Sequence, residues 1–200
     1  MKQPPVIFAC SHHRKGNSDL AAKLFREGIR KAGGNAEIVT LGDLDLHHCI
    51  GCLKCRTSKD NLCIFATKDE AQDLYLKIIH APFTFFTSPI YFYHLPSRFK
   101  TFIDRGQWAF EAMTQSAPLF CNLAQRPSYA CFVAGRPKGE KLFEGAELSL
   151  KFFLKFFKAS LEPAITFKGI DYPDDLKSQP DKCDILIQAG IDAWKRSLQA

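Results

Sequence analysis

The sequence predicts an α/β fold: a doubly wound, five-stranded parallel sheet with helices on both faces. Three observations predict it. Short, continuous apolar runs recur along the chain, the form a strand takes when both its faces are covered. Segments with apolar residues at helical spacing separate those runs. Strand–helix–strand alternation in turn forces parallel pairing through crossover connections.

The first run is Val6-Ile7-Phe8-Ala9-Cys10. Polar SHHRKGNS follows, and then Leu20, Leu24, Phe25, Gly28, Ile29 and Ala32 repeat at helical spacing up to a Gly33-Gly34 stop. Residues 36–41 read as the second strand. Residues 43–68 form a long, polar, cysteine-rich loop insertion. A connection of that length is functional or anchored by something besides core packing. Ala71, Leu74, Tyr75, Ile78 and Ile79 place a helix over 69–80, Pro82 ends it, and 83–87 is the third strand. A loop runs from Ser88 to Pro96, and Ser97 is expected to cap a helix carrying Phe99, Phe102 and Ile103. The fourth strand is 128–134, followed by a glycine-bearing loop to 145 and a helix over 146–160. A fifth strand at 164–167 and a helix over 182–197 close the chain. With no repeat and no linker, residues 1–200 read as one domain.

With 200 residues, 46% of them hydrophobic, the chain can bury a sizeable core. The amino terminus lacks the apolar stretch of a signal peptide, and no later run suits a membrane span, so the expectation is a cytoplasmic protein with no membrane partner. Eight cysteines in a reducing compartment are then thiols or metal ligands rather than disulfides. The net charge of +6 comes from scattered basic residues. That pattern argues against a nucleic-acid partner and suits an anionic cofactor.

In an open α/β sheet, ligands bind beyond the carboxyl ends of the strands, where strand order reverses. The loop from Ser11 to Ser18 lies at such a place. Ser11, Asn17 and Ser18 offer side-chain donors, Gly16 allows a tight turn, and the amides of the helix start favour a dianionic phosphate. A plain helix cap is the alternative reading. Neither GxGxxG nor GxxxxGK[ST] occurs, which argues against the usual NAD-binding Rossmann domain and against an ATP or GTP cradle.

This loop is followed by a cysteine cluster, by Ser88-Pro89-Ile90-Tyr91-Phe92, and by Lys100 with Asp104-Arg105. In that ordered combination, over the first half of the chain, the sequence resembles the NADPH-dependent FMN reductase and iron–sulfur flavoprotein family. The resemblance implies a flavodoxin-like fold with bound FMN. It places Ser11, Arg14, Gly16, Asn17 and Ser18 around the phosphate. Ser88, Pro89, Ile90, Tyr91 and Phe92 would line the ribityl chain and ring, with Gly135 on the ring side. Two departures stand out: Arg14 lies three residues after Ser11 where the family has its arginine two after, and Lys68-Asp69 replaces an acidic pair. Asp104-Arg105 reads as an ion pair or cap at a helix end. The implied function is an NAD(P)H oxidoreductase of the flavin- or quinone-reductase type, with NAD(P)H as co-substrate and a small-molecule or protein electron acceptor. The alternatives are an iron–sulfur flavoprotein or a flavodoxin-like electron carrier without nicotinamide activity. A homodimer or homotetramer is also implied.

Cys49, Cys52, Cys55 and Cys63 form C-x2-C-x2-C-x7-C, a spacing that brings three thiolates together and returns a fourth. The resemblance implies a [4Fe–4S] cluster there. Four thiolates also suit zinc, and an empty loop is the third reading. Cys10, Cys121, Cys131 and Cys183 lack ligand spacing and read as buried apolar residues. Leu148, Phe152, Phe153, Phe156 and Phe157 make an apolar helix face wider than one sheet contact needs, which predicts a subunit interface.

Overall fold

Val6, Ile7, Phe8 and Ala9 are all buried, as the continuous apolar run requires of a strand covered on both faces. In the computed structural model, which describes residues 3–199, this strand, β1 (Val6–Ala9), lies between β2 (Glu37–Thr40) and β3 (Thr84–Pro89). Ile7 stands opposite Ile38 on one side and Phe85 on the other. Beyond β3 comes β4 (Arg126–Ala134), the longest strand. Every pairing is parallel.

The fifth strand position is filled by two pieces. β5 (Ala159–Leu161) pairs with Arg126–Ser128, and β6 (Ile165–Lys168) pairs with Cys131–Ala134. This corrects the expectation of a helix running to 160 before a single strand. Lys158, at φ 51°, turns the chain out of the helical region and into β5. Pro163, with no N–H to give to the ladder, separates the two pieces. The sheet order β2-β1-β3-β4-β5 reverses between β1 and β3, which is the doubly wound arrangement expected.

Alternation along the strands divides the core into two layers. Ile7, Ala9, Phe85 and Val133 face α1 (Asn17–Lys31) and α8 (Pro180–Ser197). Val6, Phe8, Phe86 and Phe132 face α3 (Ala71–His80), α4 (Ser97–Arg105), α5 (Gln107–Thr114) and α7 (Glu144–Lys155). Each layer is built on stacked rings: Phe25 on Phe85 at 3.8 Å, and Phe8 on Phe86 at 4.8 Å between centroids. Each such phenylalanine contributes roughly 1.5–3 kcal/mol on full burial. Two short helices, α2 (Lys54–Thr57) and α6 (Pro118–Cys121), lie in the cysteine loop and ahead of β4. No helix among the described residues is long and apolar enough to cross a membrane.

Of the four cysteines outside the cluster spacing, Cys10 and Cys131 are buried, and burial pushes both thiols well above their ordinary pKa. Cys121 is exposed and Cys183 half-buried, contrary to the sequence expectation. Each thiol sits against a backbone carbonyl, Ser116 O at 3.2 Å and Leu176 O at 3.3 Å.

Candidate functional site

β1 ends at Ala9, and residues 11–16 carry the chain over the sheet edge into α1. Among the described residues no side chain caps this helix at Gly16, so its first-turn N–H groups and its positive dipole end are open. They open into a cleft of about 230 Å3 lined by Ser11, His13, Gly16, Asn17, Ser18, Pro89, Ile90, Tyr91, Val133, Gly135, Ile170, Asp171 and Pro173. The cleft thus spans the ends of β1, β3 and β4, across the reversal in strand order. The plain-cap reading loses its basis, because neither Asn17 nor Ser18 caps the helix through its side chain.

The structure gathers eight of the eleven sequence-chosen cofactor residues here: Ser11, Gly16, Asn17, Ser18, Pro89, Ile90, Tyr91 and Gly135. Their side chains are already partly committed. Ser11 Oγ accepts the His13 N–H at 3.0 Å. Asn17 donates from Nδ2 to Tyr172 O at 3.0 Å and accepts the Leu176 N–H at Oδ1, also at 3.0 Å. Asn17 therefore clamps the 171–176 loop that forms the far wall. At Gly135 a Cβ would stand 2.5 Å from Asp171 Oδ1, so the glycine lets Asp171 come close.

The other three lie elsewhere. Arg14 is turned away and pairs with Asp43. Ser88 is buried, its hydroxyl donating to Pro89 O at 2.9 Å. Phe92 projects fully into solvent. It occupies a tight turn in which Tyr91 and His94 exchange both backbone hydrogen bonds at 2.9 Å, with Phe92 at φ 49° and Tyr93 at φ 64°. Two positive φ values define a type I′ turn, which ordinarily takes Asn or Gly.

His12, beside the cleft, is structural: its Nε2 accepts the Arg98 N–H at 3.1 Å and so caps α4. Sequence reasoning missed Ile170, Asp171 and Pro173. They come from the chain after β6, more than 150 residues from Ser11 and Gly16, and no local pattern marks them. Asp175 shapes that turn by accepting the N–H groups of Asp171 and Tyr172 at 2.8 Å.

The cysteine loop builds a second feature. Cys49, Cys52, Cys55 and Cys63 all line one small hollow, together with Phe65, Arg105, Gln107 and Trp108. Among the described residues no group of three or more His, Cys, Asp or Glu side chains is placed to hold a metal ion, so neither a zinc tetrahedron nor a cluster cage is preformed, and the fit rests on the chemistry of the donor set. Arg105 is 1% exposed, and its Nη1 donates to Asp69 Oδ2 at 2.7 Å and to His47 O at 2.9 Å. The pair at the helix end thus forms with Asp69; Asp104 pairs with Lys100 instead. Burial pushes Asp69 upward, but Arg105 and the N–H groups of His47 and Ala71 outweigh it and hold the carboxyl below its ordinary pKa.

Two N–H groups at this hollow, Arg105 Nε and Trp108 Nε1, are buried and have no partner among the described residues. A buried unsatisfied donor costs about 1–3 kcal/mol. Four cysteines with two waiting donors fit a sulfur-rich, anionic iron–sulfur cluster.

Residues 6–122, more than half of the chain, match the sequence profile of NADPH-dependent FMN reductase. No curated protein matches. Among solved structures, a flavone reductase superposes with a TM-score of 0.68 at 14% identity, covering 98% of this chain and 63% of that one. The chain therefore spans less than two thirds of that protein. An NAD(P)H:quinone oxidoreductase from Methanothermobacter marburgensis gives 0.66 at 15% identity, over 96% and 99% of the two chains. An azoreductase gives 0.60 at 16%, over 99% and 100%. At such identities the likeness establishes the fold, a flavodoxin-like one in which ligands sit at the edge where the cleft is found.

Proposed function

The chain belongs to the NADPH-dependent FMN reductase family, and from that premise we propose that it is an FMN-dependent NAD(P)H oxidoreductase passing electrons to a small-molecule or protein acceptor. The observation that carries this reading is the uncapped start of α1 opening into a cleft shared with Pro89, Ile90 and Tyr91. FMN, when bound, supplies the acceptor for a nicotinamide hydride and returns the electrons to a second substrate.

The residues present fit FMN. The first-turn N–H groups of α1 and the hydroxyls of Ser11 and Ser18 suit its phosphate. Asp171, an acceptor and an anion, suits the ribityl hydroxyls rather than the phosphate. The wall of Pro89, Ile90 and Tyr91 offers a partly apolar surface against which a flat ring can be oriented. Arg14, Ser88 and Phe92 are kept as contributors through the loops they occupy; in the described geometry they do not line the cleft. The chemistry asks for no acid or base from the protein, and hence for no catalytic side chain in that sense.

An iron–sulfur variant of the same function is a second reading. It is favoured by the hollow that Cys49, Cys52, Cys55 and Cys63 share with two partnerless N–H groups. A cluster there would supply a one-electron store. We read the protein as cytoplasmic. The exposed Leu148 and Phe152 on α7 support a homodimer or homotetramer, which sedimentation velocity would test.

The decisive experiment is an FMN fluorescence titration of the purified protein, followed by anaerobic mixing with NADPH or NADH. Tight binding and bleaching of the flavin are expected. Bound flavin that stays oxidised would point to a flavodoxin-like carrier, and no binding at all would defeat the proposal. Ser18→Ala should weaken FMN about 2- to 13-fold, the worth of one hydrogen bond of roughly 0.5–1.5 kcal/mol.

A further inference from the structure

Arg105 and Trp108 end up beside the cysteine hollow for separate reasons. Arg105 closes α4, and its guanidinium is fixed by Asp69 and His47 O while lying 5.2 Å from the Phe65 ring centre. Trp108 lies in the first turn of α5, its ring held between Tyr75 at 5.9 Å and Phe120 at 5.6 Å. Neither side chain is free to swing, and each carries one buried N–H with no acceptor among the described residues. The two share the hollow with all four clustered cysteines.

We propose that Arg105 and Trp108 are positioning residues for a [4Fe–4S] cluster, each donating its Nε–H to cluster-bound sulfur. The proposal rests on the iron–sulfur reading above and adds to it which protein groups set the cluster's potential. Sulfur in a reduced cluster is richer in electron density and accepts hydrogen bonds more strongly, so donors raise the reduction potential. Asp69 compensates the Arg105 charge at 2.7 Å. The directed N–H is therefore what distinguishes this arginine from a bare cation.

The test uses the full chain, purified anaerobically and reconstituted with ferrous iron and sulfide. Trp108→Phe keeps an aromatic ring and removes the N–H. It should load iron and sulfide at the wild-type ratio yet show a more negative midpoint in an EPR-monitored dithionite titration. Arg105→Lys, which keeps the charge, should shift the midpoint the same way. A second measurement needs no variant to fold. The chain has two tryptophans, and Trp194 belongs to α8, its ring against Gly34. In wild-type protein labelled with 15N-indole, the reduced cluster should therefore show nitrogen hyperfine coupling from Trp108. A loaded cluster without that coupling, and with an unchanged midpoint in Trp108→Phe, would refute the donor roles and leave the cluster standing. Wild-type protein that takes up neither iron nor sulfide would sink the cluster itself, and the donors with it.

Discussion

At the residue scale, Asp69 is a carboxylate with no accessible side-chain surface, paired with an equally buried guanidinium. It also accepts the N–H groups of His47 at 2.9 Å and Ala71 at 3.1 Å, so it ties the cysteine loop to α3 and α4 together. Breaking a buried pair from one side leaves the other charge uncompensated, which costs about 3–5 kcal/mol. Asp69→Asn should lose roughly that much stability in urea at pH 7. The pH dependence has a definite sign. The folded pKa is depressed, so the contribution is fully present above the ordinary carboxylate value of about 3.9. It is lost as pH falls through the lower, folded value. The gap between wild type and Asp69→Asn should hold from pH 7 to about 5 and shrink below about 4; a constant gap down to pH 3 would show that Asp69 does not titrate as argued. Phe92 offers a contrasting test. Its side chain is fully exposed and its backbone sits at φ 49°, a region that costs a non-glycine residue about 1–2 kcal/mol. Phe92→Asn should therefore stabilise the protein by up to about 1 kcal/mol, since nothing buried is lost. If Phe92 covers bound flavin as the family resemblance implies, the same variant will weaken FMN while raising the melting temperature.

At the element scale, the tightest contact is the crossing of α1 and α8. A Cβ at Gly28 would stand 1.9 Å from Ile187 O, and one at Gly190 would stand 2.1 Å from Phe25 O. Both obstacles are backbone, so the helices would have to separate. Gly190→Ala should cost about 1–3 kcal/mol despite alanine's better helix propensity, and a gain in urea stability would contradict the packing described. These elements were legible in the sequence wherever the signal was local. The Val6–Cys10 run and the 3.6-residue spacing of α1 and α3 each encode their own structure, whereas the cap expected of Ser97 does not form: Pro96 holds the cap position and the Ser97 hydroxyl turns to His12. The split fifth strand was not legible, because Lys158 in a left-handed turn carries no residue-type signal and the helical spacing before it runs on past Lys155. The helices over 107–121 went unassigned, since their apolar residues make no clean stripe. The cleft was legible for the same reason as the elements: its near wall comes from two contiguous loops. Its far wall, Ile170 to Pro173, is brought in by the clamp from Asn17, a contact across 155 residues that no sequence window contains.

At the scale of the whole molecule, β1, β3 and β4 contribute alternate residues to both core layers, and all three end at the cleft. A ligand bound there is consequently linked to the stability of both layers. FMN that binds only the folded chain should stabilise it by about 2.7 kcal/mol at a hundredfold excess over Kd. For a chain of this size each kcal/mol moves Tm by roughly 2–4 °C, so calorimetry should show a rise of roughly 5–10 °C. Variants at the two scales below should then separate cleanly. Gly190→Ala lies between α1 and α8, away from the cleft, and should lower Tm equally with and without FMN. Ser18→Ala should leave the FMN-free Tm close to wild type and reduce only the FMN-dependent rise. If FMN instead shifted a separate, minor transition and left the main one in place, the cleft would belong to a locally ordering loop rather than to the sheet. The coupling argued from the strand alternation would then be wrong.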